Sequence, residues 1–140
     1  MTTIPEGFRD LLDRPIVVSL ATVMPDGQPQ VQPVWCSFDG RHVLINTEKS
    51  RQKYRNMTRR PMVTVLAVDP DDDNRWLEIR GRVAEHTEEG AAEHIDELAR
   101  QYLGVDAYPF HLPDDVRVMF RIEPVKVATL GSTMPQFAET

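Results

Sequence analysis

The 140-residue chain carries 22 Asp and Glu against 16 Lys and Arg, for a formal charge of -6 and a pI near 5.2. That balance argues against nucleic acid as a partner of the whole surface, and a content of 41% hydrophobic and 27% charged residues excludes a disordered chain. No apolar run approaches the roughly 20 residues of a membrane span, and Cys36 stands alone, so neither an intrachain disulfide nor a multi-cysteine metal site is available.

Residues 5–13, PEGFRDLLD, predict a short helix with Phe8, Leu11 and Leu12 on one face, closed by Pro15. The N-terminus mixes Glu6, Asp10 and Asp13 with its apolar residues and has no signal pattern, so a cytoplasmic location is expected. The β-branched run 16–23 reads as a strand, and Pro25-Asp26-Gly27 as a turn. A second strand is expected over 30–38; Pro33 cannot donate to a ladder, so this strand lies at an edge or breaks there. Asp39-Gly40 turns the chain into a third strand at 41–47, giving an antiparallel meander.

The segment 48-EKSRQKYRNMTRRP-61 then gathers six cations, Lys49, Arg51, Lys53, Arg55, Arg59 and Arg60, with no carboxylate among them. Ser50 is placed to cap a helix that Pro61 ends, with Tyr54, Met57 and Thr58 facing inward. Such a run is commonly a solvated helix face. Here it interrupts an acidic chain, lacks i+4 carboxylates and begins at a helix N-terminus, a combination suited to phosphate. Nucleic acid is a weaker candidate, because the patch is short and no RNA-binding aromatic signature accompanies it.

A fourth strand is expected at 62–69, then an acidic loop 69–74, then a half-buried strand over 75–86 with Leu77, Ile79, Gly81 and Val83 on one face. The loop lacks the Gly and distal Glu of a calcium loop and reads as a solvated hairpin tip. Thr87 can cap a helix over 88–103 that presents Ile95, Leu98, Ala99 and Tyr102 and stops at Gly104. After a loop with Pro109 and Pro113, residues 116–130 form a long strand interrupted at Pro124, followed by a loosely held tail, 131–140. The whole reads as one mainly β domain with inserted helices (α+β): six or seven antiparallel strands in a closed or nearly closed barrel, with its core over about 16–130. No metal site, Walker A sequence or G-x-S-x-G elbow is present, and the four histidines are scattered.

The order of elements resembles the flavin- and deazaflavin-dependent split β-barrel oxidoreductases grouped around pyridoxamine 5'-phosphate oxidase. The resemblance runs from Ile16 to about Leu130. Its carriers are 19-SLATVMPDGQPQVQPVW-35, the 46–61 segment with Asn56-Met57 standing where the family has Asn-Leu, 77-LEIRGRVAE-85 and 120-FRIEPVKV-127. It implies a homodimer with the cofactor between subunits. Gln32, Pro33, Val34 and Trp35 would lie against the cofactor ring, and Ser50, Arg51, Gln52 and Lys53, with Arg55 further along, would hold its phosphate. One extra residue within the K-S…K motif leaves Arg51 and Gln52 both open as the residue facing the phosphate.

The last ten residues lack the Arg- and Trp-containing segment of the vitamin B6 oxidases, which argues against that reaction. Six cations exceed what the single phosphate of FMN demands, whereas coenzyme F420 carries a longer anionic tail. The resemblance and the charge together favour an F420-dependent reductase acting on an electron-poor small molecule, an enone, quinone or tetrapyrrole. An FMN enzyme and a non-enzymatic cofactor- or haem-binding protein are the alternatives. No catalytic acid is identifiable: Tyr102, Tyr108 and His111 fall where they would cover the pocket, but packing is the default account of each.

Overall fold

The computed structural model describes residues 2–131; the tail expected beyond Gly131 lies outside the described residues. A 3-10 turn, Glu6–Phe8, leads into α1 (Asp10–Asp13), and seven strands follow: β1 (Val18–Val23), β2 (Pro29–Val34), β3 (Cys36–Phe38), β4 (Val43–Glu48), β5 (Met62–Asp69), β6 (Asp72–Thr87) and β7 (Arg117–Leu130). Two further helices, α2 (Gln52–Arg59) and α3 (Ala91–Leu103), interrupt them after β4 and β6. All neighbours are antiparallel and form one sheet in the order β2-β1-β5-β6-β7-β4-β3.

The run expected to be one strand over 30–38 is therefore two, and they occupy opposite edges of the sheet. β2 pairs β1 from Val34 opposite Val18, and β3 pairs β4 from Cys36 opposite Ile45. The chain crosses from one edge to the other at Trp35, and the curled sheet is all but closed by that crossing. Pro29, Val31 and Pro33 share the side of β2 turned away from β1, because successive N–H groups alternate along a strand. The missing proline donors thus fall on the free edge, where they discourage another strand from adding.

The interior is filled by alternate residues of these strands, among them Val18, Leu20, Val43, Ile45, Ile79 and Phe120, with Leu11, Leu12 and Met57 closing it from the helices. Leu77, Ile79, Gly81 and Val83 do form the inward face of β6, as their alternation predicts. At Gly81 an added Cβ would lie 2.6 Å from Ile122 Cγ2 and 2.9 Å from the Glu123 carbonyl oxygen. The ladder slips register there, passing Pro124 across from Gly81, so the expected interruption at Pro124 is a bulge that bends β7 without ending it.

The acidic tip is more than a solvated loop. Asp69 is 8% exposed and accepts from Arg75 at 2.9 Å, while Arg75 also meets Asp10 at 2.6 Å and Arg14 meets Asp71 at 3.1 Å. These pairs fasten α1 to the β5–β6 turn. Among the described residues no cluster of three or more His, Cys, Asp and Glu side chains is arranged to hold a metal ion.

Candidate functional site

The basic helix is placed by a residue that its charge conceals. Asn56 is fully buried, and its amide NH2 donates to Thr22 Oγ1 at 3.0 Å, locking α2 onto the β1–β2 hairpin. Its Oδ1 accepts from Gln52 Nε2 at 2.8 Å and from Arg60 at 3.2 Å. Arg60 reaches on to the Val23 carbonyl oxygen at 2.7 Å. Arg55 donates to the Ser50 carbonyl oxygen and to Gln52 Oε1, both at 2.8 Å, and Lys49 pairs with Glu88 at 3.0 Å. Three of the six cations are thus engaged within the protein.

Two of the rest, Arg51 and Lys53, line a cavity of roughly 380 Å³ together with Pro33, Val34, Trp35 and the last residues of β4, Asn46 to Glu48. Neither has an ion-pair partner among the described residues. Burial, with the Arg51 charge beside it, pulls the Lys53 ammonium below its ordinary value, the condition of a cation that an anion would stabilise.

Ser50 does not cap the helix. The helix begins at Gln52 with Arg51 in the cap position, and the Ser50 hydroxyl donates instead to the Glu48 carboxylate. The Ser50 hydroxyl and amide hold the Glu48 carboxyl below its usual range. The carboxylate is two residues away, so this local bond wins over the longer reach to the helix amides. Of the nine residues expected at the site, Pro33, Val34, Trp35, Arg51 and Lys53 face the cavity. Ser50, Gln52 and Arg55 stand behind it as supports, and Gln32 is exposed on β2.

Trp35 stacks on Tyr102, centroids 5.1 Å apart, and meets Tyr108 edge-on at 6.2 Å. The Tyr102 hydroxyl donates to the Ile16 carbonyl oxygen at 2.7 Å and accepts from the Cys36 amide at 3.1 Å, and burial pushes its pKa up. It pins the edge-to-edge crossing and is not poised as an acid. The Cys36 thiol, pushed up to about 12 by burial, is likewise no nucleophile at neutral pH. Tyr108 does line the cavity, whereas His111 lines a smaller one next to it.

A polar chain behind the cavity had no signal in the sequence. Asn46 Nδ2 donates to the Ala91 carbonyl oxygen at 2.8 Å and faces His94 Nδ1 at 3.1 Å. The amide is held that way round because its Oδ1 meets Arg117 at 3.4 Å. His94 Nδ1 must therefore accept, so Nε2 carries the proton and donates to Ser37 Oγ at 2.9 Å. Burial, and then the Arg121 charge, push the imidazole down to about 4. With that tautomer Nε2 cannot take a proton from Ser37, so the Ser-His pair is structural and not a nucleophile with its base.

The sequence pattern of the pyridoxamine 5'-phosphate oxidase family matches residues 4–131. Among solved structures, one described as an F420 reductase is 36% identical, with a TM-score of 0.78 over 89% of this chain and 98% of that one. A conserved hypothetical protein from Mycobacterium tuberculosis is 25% identical, with a TM-score of 0.74 over 98% of this chain and 92% of the other. A putative pyridoxamine 5'-phosphate oxidase from Listeria innocua shares the fold at 22% identity and a TM-score of 0.63, over 81% and 87% of the two chains.

Proposed function

The chain belongs to the pyridoxamine 5'-phosphate oxidase family, and on that premise we propose that it is an F420-dependent reductase. The observation that carries the proposal is the cavity where two unpaired cations, Arg51 and Lys53, adjoin the bare edge Pro33–Trp35. The donor set fits a phosphate, and the Pro33–Trp35 wall offers an apolar face to a planar ring. The 36% identity to a protein described as an F420 reductase supports the deazaflavin as the ring. When bound, the reduced deazaflavin supplies a hydride to an electron-poor acceptor such as an enone, quinone or tetrapyrrole.

This chain's own residues bind and orient. Arg51 and Lys53 hold the phosphate, with Ser50, Gln52 and Arg55 fixing the turn that presents them. Trp35, clamped by Tyr102, sets the ring wall, and Tyr108 with Phe110 excludes water from one side. FMN is the second reading, favoured by a specific observation: Arg55 and Arg60 are engaged inside the protein, which shrinks the cationic surplus that spoke for a long anionic tail. The protein acts as a homodimer in either case. An apolar hollow across β1, β5, β6 and β7 is lined by Val23, Met62 and Val125, with Met62 68% exposed, a surface suited to a second copy. No helix among the described residues is long and apolar enough to cross a membrane.

Equilibrium titration of the purified protein with F420 and with FMN decides between the readings. Submicromolar binding of F420 with weaker FMN binding is the expected result. Failure to bind either at micromolar concentration would remove the proposal.

A further inference from the structure

Arg117, the first residue of β7, is a cation without a counter-charge. It faces Glu48 across the β4–β7 ladder, yet that carboxylate is turned to Ser50 and to the Val116 amide, and no ion pair joins the two. Its guanidinium lies over the Tyr108 ring at 4.7 Å and has one long bond, 3.4 Å, to Asn46 Oδ1. Its Nε is buried, and among the described residues it is the one buried side-chain nitrogen or oxygen without a hydrogen-bond partner. A buried donor left unmade is costly, and an arginine fork is built to meet a carboxylate through two of its donors.

The position of Arg117 says which carboxylate. It lines the cavity of Arg51 and Lys53 and also a neighbouring one of about 280 Å³, and Ile95 and Tyr108 are shared walls of the two. Asp96 and His111 face the neighbouring cavity; Asp96 accepts from the Tyr108 amide at 2.9 Å and makes no ion pair with Arg117. Tyr108 touches both Trp35 and Arg117. The guanidinium is therefore at the aromatic end of the cavity, among the residues that would meet a ring. Arg51 and Lys53, at the start of α2, line the same cavity as Arg117, but among the described residues no ring contact joins either of them to Tyr108 or Trp35.

We propose that Arg117 is a specificity-determining residue that anchors a carboxylate of the acceptor, and that the acceptors of this protein are accordingly planar unsaturated molecules bearing a carboxylate. Asn46 holds the guanidinium in place, and His94 with the Ala91 carbonyl oxygen holds Asn46. The alignment of that carboxylate with an acceptor rests on the oxidoreductase reading; the carboxylate site itself does not.

The test compares cinnamate with methyl cinnamate, an acid and its neutral ester, by calorimetry on the full chain with and without F420. Wild type should bind the acid at least about tenfold more tightly than the ester, and Arg117→Met should abolish that preference. In the same variant F420 affinity should change by less than about twofold, and Arg117→Lys should retain part of the preference for the acid. Equal binding of acid and ester by wild type overturns the proposal, a readout independent of how any variant folds. A loss of F420 affinity in Arg117→Met with the acid preference intact also overturns it, assigning Arg117 to the cofactor's anionic tail. If neither F420 nor FMN binds, the acid–ester comparison still reports on the carboxylate site, so the two proposals fail separately.

Discussion

Lowering the pH from 7 to 5 should weaken the fold through one residue, His94. The imidazole is 5% exposed and neutral, and its Nδ1 faces an amide NH2 that is itself tied to the Ala91 carbonyl oxygen. Protonation would set donor against donor in a buried place. Its value falls from 6.5 to about 4 on folding. A depressed folded value means that the unfolded chain binds the proton more readily. The contribution is therefore fully present above pH 6.5 and is lost as pH falls toward 4.

Integrated over that window the loss is roughly 3 kcal/mol, and about 2 kcal/mol of it falls between pH 7 and pH 5. The carboxylates whose values are lowered, Asp10, Asp39, Glu48 and Asp69, lose their contributions mostly below that range. Urea unfolding at half-unit pH steps is the assay, with the midpoint in wild type expected to fall by on the order of 1 M from pH 7 to pH 5. His94→Gln should be less stable at pH 7 but show a much flatter profile. Parallel profiles for the two proteins would refute the reasoning, because the other three histidines are common to both.

Lys53→Ala should weaken cofactor binding by about 1.5–3 kcal/mol in an equilibrium titration, the scale of a charged hydrogen bond; an unchanged constant would take Lys53 out of the site. Arg59→Gln, measured beside it, reads how far the anion extends along α2, because Arg59 is exposed near the end of the helix: loss of affinity places the tail past Lys53, and an unchanged constant confines the anion to the start of the helix. Asn56→Ala should cost about 2–3 kcal/mol by leaving Thr22 Oγ1 without its donor and Gln52 and Arg60 short of a bond each, seen as a lower urea midpoint. For Gly81→Ala the 2.6 Å approach to Ile122 predicts a destabilisation of roughly 1–3 kcal/mol by the same measurement, with an Ile122→Val background relieving part of it. Cys36 should resist thiol reagents in native protein at neutral pH and react at once in urea.

The strands were legible because hydrophobic alternation is a local property: β5 falls on the expected 62–69 and the inward face of β6 on the expected residues. Pro33 at an edge was legible for the same reason, since a missing donor has one tolerable place in a sheet. What the run 30–38 concealed is that its two halves serve different edges, a fact of pairing that no local pattern encodes. The cation count misled in a related way. A charge is visible in sequence, but whether it faces a cavity, as Lys53 does, or a carbonyl oxygen, as Arg60 does, depends on chain brought from 30 or more residues away. Arg117 and His94 were silent altogether: one opens an ordinary strand, the other sits on an amphipathic helix, and only their meeting at Asn46 gives them meaning.

The sheet order has a consequence for how the molecule comes into being. Among the described residues β7 is the last strand in chain order, yet it sits between β6 and β4 and is the sole ladder joining β2-β1-β5-β6 to β4-β3. Val43 waits for Ile122 before its half of the sheet has a neighbour on that side. During translation the basic helix can form and dock by Asn56, but a closed chamber beside it cannot exist until the C-terminal strand has left the ribosome. Such long-range closure is slow relative to hairpin formation. A chain cut short before Arg117 would therefore carry the cations of α2 without the β4–β7 ladder that completes the cavity beside them.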